Sequence, residues 1–228
     1  MKNVIYTKEG MNNMTESMLI EAIGRVVCLI DSYIEKNENI ESLKTEELTS
    51  CVLNHAAAVA VSGMADGILP VAGSVAALGI CVAANWRMYI KMCEIINVPF
   101  GKKKLKAISS AVVSNIMGNI ALFIGLQMAT SVVPGAGIVT EGVLTFFVTY
   151  FSAIVFLNML TKVLGEKRKD IENMTDEEFK KYIKEEVSKS SKKKKDIYKE
   201  CKNVFTKMYN DGSLDKAGKE TDISDEEI

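Results

Sequence analysis

Three side chains that can transfer protons lie on one face of a predicted helix near residue 60. His55, Ser62 and Asp66 are spread over 11 positions, which is close to three turns of an α-helix. A histidine, a hydroxyl and a carboxylate in this order could form a proton relay or part of a hydrolytic site. Spacing along one helix does not place a nucleophile beside its base, and the chain has no G-x-S-x-G segment. We therefore predict no catalytic residues and no enzyme activity.

Two acidic residues stand in otherwise apolar segments. Asp66 precedes Pro70 by four positions, and Glu141 follows Pro134 by seven. Burying a charge inside a membrane is costly, so an ionisable group found there suggests a functional site. The hypothesis here is a polar path lined by both acids. Three amide side chains would line the same path: Asn115, Asn119 and Gln127. The simpler interpretation is that both acids reach an interface or a helix end and are solvated there.

The cysteines and the single histidine form no ligand pattern. Five cysteines are scattered along the chain without a C-x-x-C pair: Cys28, Cys51, Cys81, Cys93 and Cys201. This spacing favours reduced thiols in the cytoplasm over a disulfide framework or a zinc site. The chain also lacks the G-x-x-x-x-G-K-[ST] loop that binds nucleotide phosphates. We predict no metal, no cofactor and no small-molecule substrate.

The elements around these residues are predicted to be helices throughout. An amphipathic helix of about 20 residues is expected from the apolar periodicity between Leu19 and Ile34, with Thr15 as its cap. Together with a polar linker it would make up residues 1–45. Residues 46–165 form an apolar core with four predicted helices, at about 46–69, 71–98, 105–133 and 135–163. The predicted fold class is all-α.

The core contains an internal duplication, which gives two tandem apolar helical hairpins. Shifting the sequence by 64 positions aligns two P-x-A-G turns and the glycine and basic residues that end each hairpin. The turn residues are Pro70, Ala72 and Gly73 in the first copy and Pro134, Ala136 and Gly137 in the second. Proline suits the first turn of a helix. Gly101 and Gly165 would be left-handed C-caps.

The core helices are long and apolar enough to suggest a membrane. Residues 142–161 are 20 consecutive uncharged residues, which suits a hydrocarbon layer of about 30 Å. Both hairpin bases carry basic clusters, so the positive-inside rule would place the bases and both termini in the cytoplasm. The clusters are Lys102, Lys103, Lys104 and Lys106 in the first base and Lys162, Lys167, Arg168 and Lys169 in the second. Trp86, Arg87 and Tyr89 would form an interfacial belt or a surface edge. The alternative location is the soluble cytoplasm.

Beyond the core the composition becomes charged. Residues 166–210 are predicted to form two amphipathic helices around a basic run, the first with a capping box of Thr175 and Glu178. Residues 211–228 are predicted to be a disordered acidic tail. Lysines beside the core and in the basic run are candidate contacts to anionic lipid: Lys102, Lys103, Lys104, Lys192, Lys193, Lys194 and Lys195. No recognised motif supports nucleic-acid binding.

Residues 50–170 resemble the bacterial domain-of-unknown-function 697 family. The resemblance rests on short motifs: an Ala-rich helix with Leu69-Pro70, then Asn85, Met88 and Ile95, then Phe100-Gly101, and Val133-Pro134-Gly135-Ala136-Gly137. It implies a bacterial membrane-associated helical domain without catalysis that acts beside a small GTPase. Because this chain has no nucleotide loop, that GTPase would be a separate partner.

The functional expectation is a non-enzymatic helical protein that acts as an anchor or scaffold at the cytoplasmic membrane. Its partners would be the lipid membrane and either a protein, such as a GTPase, or further copies of the same chain. One alternative is a pore-forming or permeation protein that uses Asp66 and Glu141. The other is a soluble helical bundle that binds a protein.

Overall fold

The computed structural model describes residues 17–31, 38–65, 75–97, 107–108, 110–112, 137–165, 174–190 and 194–221. All regular structure in these ranges is helical, as predicted. The named helices are α1 (Met18–Asp31), α2 (Glu38–Ala65), α3 (Val75–Ile95), α4 (Gly137–Leu164), α5 (Asp176–Ser190), α6 (Lys194–Asn210) and α7 (Ser213–Glu220). Residues 107, 108 and 110–112 are helical as well.

Helix α4 lies at the centre of the fold. It is contacted by α1, α2, α3, α5 and α6, while α7 packs against α2 and α6. A helix that is apolar on every side must be buried on every side, and Gly142–Leu164 meets this requirement because 94% of its most apolar window is buried. Gly142–Leu164 is also long and apolar enough to cross a membrane. The helix that is long and apolar enough to cross a membrane is therefore also the central core helix of the fold.

Two helix starts are fixed by side-chain caps. The predicted capping box of α5 is confirmed: the Glu178 N–H donates to Thr175 Oγ1 at 3.3 Å, and the Thr175 N–H donates to Glu178 Oε2 at 2.9 Å. The Thr175 N–H, and the Thr175 hydroxyl that donates to the same oxygen at 2.8 Å, lower the pKa of Glu178. Helix α1 begins at Met18, so Ser17 stands at its cap. Thr15, the expected cap, lies outside the described residues.

The helix ends differ from expectation. Gly165 follows α4, but its backbone is not left-handed, so that C-cap prediction is wrong. The left-handed residue found after a core helix is Asn97, with φ 54° at the end of α3. Asparagine tolerates this conformation better than other non-glycine residues. Gly101, the matching cap prediction, lies outside the described residues.

Two segments are more ordered than predicted. Helix α2 begins at Glu38, so most of the expected linker before residue 46 is helical. Residues 213–220 form α7, so the prediction of a disordered tail from residue 211 is wrong for that part. The tail prediction rests on acidic charge and on the small number of apolar residues, but one of these few, Leu214, is 1% exposed and anchors the helix. The hairpin turns and nearly all of the predicted third core helix lie outside the described residues.

Candidate functional site

Helices α6 and α7 together form a surface layer over the core that we call the C-terminal cover. Two aromatic side chains of α6 sit on two of α4. The Tyr198 ring meets Phe147 edge-on, with centroids 5.2 Å apart and an angle of 79°. Phe205 meets Phe146 edge-on at 5.6 Å and 76°. Edge-to-face pairs of this kind contribute about 0.5–1.5 kcal/mol beyond their buried area. The cover is therefore specifically packed on α4.

A glycine allows α6, α4 and α2 to meet at one point. A Cβ atom on Gly142 of α4 would lie 2.8 Å from Met64 Sδ of α2 and 3.1 Å from Phe205 Cζ of α6. The contact with Met64 is too short for real atoms, so Met64 would have to move, and Phe205 would have to give by a few tenths of an ångström. A Cβ atom on Gly63 of α2 would likewise lie 3.2 Å from Thr145 Cγ2 and 3.7 Å from Thr145 Cβ of α4. Small residues at helix crossings thus set how closely these helices approach.

Helix α7 attaches the cover to α2. Gly218 lies against α2 so closely that a Cβ atom there would be 2.7 Å from Val61 Cγ2 and 3.2 Å from the Ala57 carbonyl oxygen. Leu214 is buried one turn earlier. The link between α6 and α7 requires Gly212, which has φ 75° and would be strained with any side chain. The cover is therefore held at both ends, by α4 under α6 and by α2 under α7.

One carboxylate joins the cover to the first and the central helix. Glu200 of α6 accepts hydrogen bonds from the Ser17 hydroxyl at 2.6 Å and from the Met18 N–H at 2.8 Å. It also accepts one from the Tyr150 hydroxyl of α4 at 2.5 Å. A negative charge at a helix N-terminus is stabilised by unpaired N–H groups and by the helix dipole. Glu200 therefore caps α1 from a position 182 residues away in the chain.

The residue after Glu200 is sealed inside the bundle. Cys201 is fully buried, and that burial, followed by the nearby charge of Glu200, raises the pKa of its thiol well above the ordinary value. Thiolate is the reactive form of cysteine, so a buried neutral thiol is inert. Cys28 on α1, in contrast, is exposed. These two cysteines therefore differ in access to reagents for as long as the cover is closed.

A second ionic contact ties α5 to the end of α4. Glu186 of α5 pairs with Lys162 of α4 and with Lys189, the latter at 2.6 Å. The hydrogen bonds from Lys162 and then Lys189 lower the pKa of Glu186. The Glu186 side chain is 9% exposed, whereas both lysines remain open to solvent. This contact positions α5 on the core beside the cover.

Between α3 and α4 lies a cluster of buried polar groups. The Ser152 hydroxyl is 3.0 Å from Asn85 Oδ1 and 2.7 Å from the Thr149 carbonyl oxygen, and its single proton can serve only one of them at a time. Within the described part of the chain, the hydroxyl of Thr149 is buried without a hydrogen-bond partner. Tyr89 stacks on Phe156 at 4.1 Å. Tyr89 is therefore a core residue, and its assignment to an interfacial belt or surface edge is wrong.

The cysteine and histidine nearest each other do not form a nucleophile and base. His55 Nδ1 is 2.8 Å from the Cys51 carbonyl oxygen and 3.8 Å from Cys51 Sγ. A ring nitrogen that donates its proton to the carbonyl has no lone pair left to accept one from the thiol. The described residues also contain no group of three or more His, Cys, Asp or Glu side chains that could hold a metal ion.

Most residues of the sequence-based sites lie outside the described part of the chain. This applies to Asp66, Asn115, Asn119, Gln127, Pro70, Ala72, Gly73, Pro134, Ala136, Lys102, Lys103, Lys104, Lys192 and Lys193. Gly137 is the first residue of α4, and Glu141 follows in its second turn. Lys194 and Lys195 open α6. The described residues therefore do not test the predicted polar path.

Sequence reasoning missed the residues that the fold brings together most closely. Glu200 reads as an ordinary charge on an amphipathic helix, and Ser17 as a polar residue in the lead segment. Their contact depends on how the two ends of the chain pack, and no local spacing signals it. The one local sign was a polar residue directly before the first apolar periodicity. No protein-family model, curated protein or solved structure matches the chain.

Proposed function

We propose that this chain is a non-enzymatic anchor or scaffold that keeps its apolar hairpin helices inside a water-soluble bundle and delivers them to the cytoplasmic membrane when the bundle opens. One observation carries the proposal. A helix long and apolar enough to cross a membrane lies beneath amphipathic helices that hide it from water. A permanent membrane span needs no such covering.

The outer surface of the described bundle supports the soluble half of the proposal. Among the described residues, the exposed large hydrophobic side chains are those of Val82 and Tyr209. A bundle that spans a bilayer presents apolar side chains to lipid all around its middle, because lipid cannot solvate polar groups. Helices α5 and α6 instead carry charged side chains outward while resting on α4. With α5 and α6 in place, α4 would have no lipid-facing side.

The charge of the C-terminal segment supports the membrane half. Residues 189–207 contain eight lysines and two acidic residues. A lysine near an anionic bilayer gains about 1 kcal/mol of attraction. Within α6, Lys199 and Lys202 are exposed and so remain available for lipid headgroups. The helix that hides α4 is thus also the helix drawn to an anionic surface.

The proposal is tested by distribution between soluble and membrane fractions. The purified chain should be monodisperse without detergent and should bind vesicles that contain anionic lipid. Bound protein should then resist extraction with alkaline carbonate, because α4 would be inserted. Neutral vesicles and a variant with Lys199 and Lys202 changed to glutamine provide the controls, and both should bind more weakly. Protein that needs detergent throughout would contradict the soluble half, and complete release by carbonate would contradict insertion.

A second candidate is a soluble helical protein that binds another protein and never enters a membrane. The near-complete burial of α4 favours it, since buried core helices also pass tests of length and apolarity. The resemblance to the domain-of-unknown-function 697 family makes a small GTPase the first partner to test. Detergent-free protein that ignores anionic vesicles but binds such a GTPase, with a change in nucleotide exchange or hydrolysis, would favour this candidate.

A further inference from the structure

We infer that Glu200 is the latch of the C-terminal cover, and that the face of α4 and α2 beneath the cover is the surface that meets an anionic lipid bilayer. This inference rests on the proposed function for its lipid partner. The latch itself does not depend on lipid and can be tested in solution.

The position of Glu200 is what makes it a latch. Its two oxygens are bonded by Ser17 and Met18 at the start of α1 and by Tyr150 in the middle of α4. Three helices that are distant in sequence therefore share one carboxylate. Edge-to-face ring pairs also join α6 to α4. Loss of the carboxylate removes the hydrogen bonds that join the cover to α1 and to α4, and leaves Ser17 alone at the cap of α1.

The surface beneath the cover has the chemistry of a lipid-facing helix. Removal of α6 would uncover Phe146 and Phe147, which are now fully buried. Removal of α7 would further uncover Val61 of α2, which lies against Gly218. Exposed aromatic and aliphatic side chains are unfavourable in water and favourable in the acyl region of a bilayer. An anionic bilayer also attracts the lysines of the departing helix.

The latch is tested by Glu200→Gln, which keeps the side-chain shape and removes the charge. We expect hydrogen exchange of α6 and α7 amides to be at least tenfold faster, with α3 amides unchanged. Alkylation of Cys201 should accelerate in parallel, while Cys93 on α3 stays protected. Loss of the Glu200 charge by itself lowers the pKa of Cys201 slightly, which speeds alkylation even when the cover stays closed. Hydrogen exchange of the α7 amides is therefore the decisive readout, because α7 is remote from Glu200. The matched control is Glu220→Gln, an exposed carboxylate of the cover that should change neither rate.

Two results would overturn the latch. One is unchanged exchange in α6 and α7. The other is an equal acceleration in α3, because that would mean general loss of stability. A disulfide that holds the cover closed distinguishes opening of the cover from a general loss of stability. The Cβ–Cβ distance between Val61 and a Cβ built on Gly218 is 3.1 Å, under the ~3.5–4.5 Å of disulfides. A disulfide from Val61→Cys with Gly218→Cys should therefore lock α7 to α2 once α7 shifts slightly away from α2.

The lipid surface is tested with the same lock. In the Glu200→Gln background, the oxidised lock should lower flotation with phosphatidylglycerol vesicles at least fivefold relative to the reduced protein. A disulfide from Gly63→Cys with Thr145→Cys, at a Cβ–Cβ distance of 3.7 Å, joins α2 to α4 without touching the cover. Under this control disulfide, vesicle binding through the exposed face should persist. If the cover opens in solution but flotation is the same in locked and unlocked protein, the latch stands and the lipid surface is wrong.

Discussion

The Tyr150 hydroxyl of α4 donates a hydrogen bond to Glu200 Oε1 of α6 at 2.5 Å. The Tyr150 side chain is fully buried in the core, whereas Glu200 is half-buried at the base of the cover. This pair links the most apolar helix of the fold to its most lysine-rich one. A phenol inside the core needs a partner, and a carboxylate at a helix start needs donors. Tyr150 supplies a donor to the Glu200 carboxylate, and Glu200 supplies an acceptor to the buried phenol. This pairing explains why the cover packs on α4 in one position.

Tyr150→Phe should lower the free energy of unfolding by about 1.5–3 kcal/mol, the range for a hydrogen bond to a charged group. The ring stays in place and Glu200 keeps its donors at Ser17 and Met18, so the loss reports the phenol alone. Urea denaturation followed by circular dichroism would measure it. Tyr209→Phe is the control, because the Tyr209 side chain is 49% exposed and its change should alter stability by less than about 0.5 kcal/mol. Equal effects of the two changes would contradict the role of Tyr150.

Gly142→Ala should destabilise the protein by about 1–3 kcal/mol, the usual cost of overpacking a core. The new methyl group would overlap Met64 Sδ and Phe205 Cζ. Met64 is flexible, so most of the shift should fall on Met64, with a smaller displacement of the cover. Gly24→Ala is the control, since nothing lies within 4 Å of a Cβ atom at that helical position. It should raise stability by about 0.4–1 kcal/mol. Thermal unfolding of both variants distinguishes crowding at Gly142 from a general effect of removing glycine.

Local patterns predicted the parts of the fold that local forces determine. The capping box of Thr175 and Glu178 spans three residues and forms as expected. The apolar stripes of α5 and α6 also face the core, as shown by Phe179, Ile183 and Ile197. These features depend on helix periodicity and on hydrogen bonds within one turn. They need no knowledge of the rest of the chain.

The site depends on contacts that no local pattern contains. Ser17 and Glu200 are 183 positions apart, and their contact follows from the packing of α1 and α6 on α4. The apolar length of α4 predicts a membrane helix, but composition alone cannot say whether lipid or protein covers a helix. Helix α7 was missed because a single apolar residue, Leu214, and the close approach of Gly218 hold it on α2.

Thr149→Val should raise the free energy of unfolding by about 1–3 kcal/mol. Within the described structure the Thr149 hydroxyl is buried without a hydrogen-bond partner, and such a group loses its hydration without replacement. Valine has nearly the same shape and no polar atom. Thr145→Val is the control, because the Thr145 hydroxyl donates to the Gly142 carbonyl oxygen at 3.2 Å. That change should lower stability by about 0.5–1.5 kcal/mol. A loss of stability in both variants would mean that the Thr149 hydroxyl is hydrogen-bonded after all, for example to an internal water.

The contact between α4 and α5 should make stability depend on acidity through Glu186. The pKa of Glu186 is lowered in the folded protein by the hydrogen bonds from Lys162 and Lys189. The unfolded chain therefore takes up a proton at Glu186 at a higher pH than the folded chain. The stabilisation is complete above the ordinary glutamate pKa of about 4.3 and is lost as the pH falls through the lowered value. Its loss should loosen α5 first, because α5 carries the carboxylate.

Glu186→Gln should remove the share of acid sensitivity that comes from this contact. Urea unfolding at pH 7 and at several values between about 5 and 2.5 would give stability against pH for both proteins. The variant should be less stable at pH 7, and its curve should approach that of the unchanged protein at the acidic end. The control is Glu185→Gln, which changes an exposed neighbour on the same helix and should leave the curve nearly parallel to the original. A constant gap between the Glu186→Gln protein and the unchanged protein at every pH would show that the amide disturbs packing and that the ionic contact with Lys162 does not stabilise the fold.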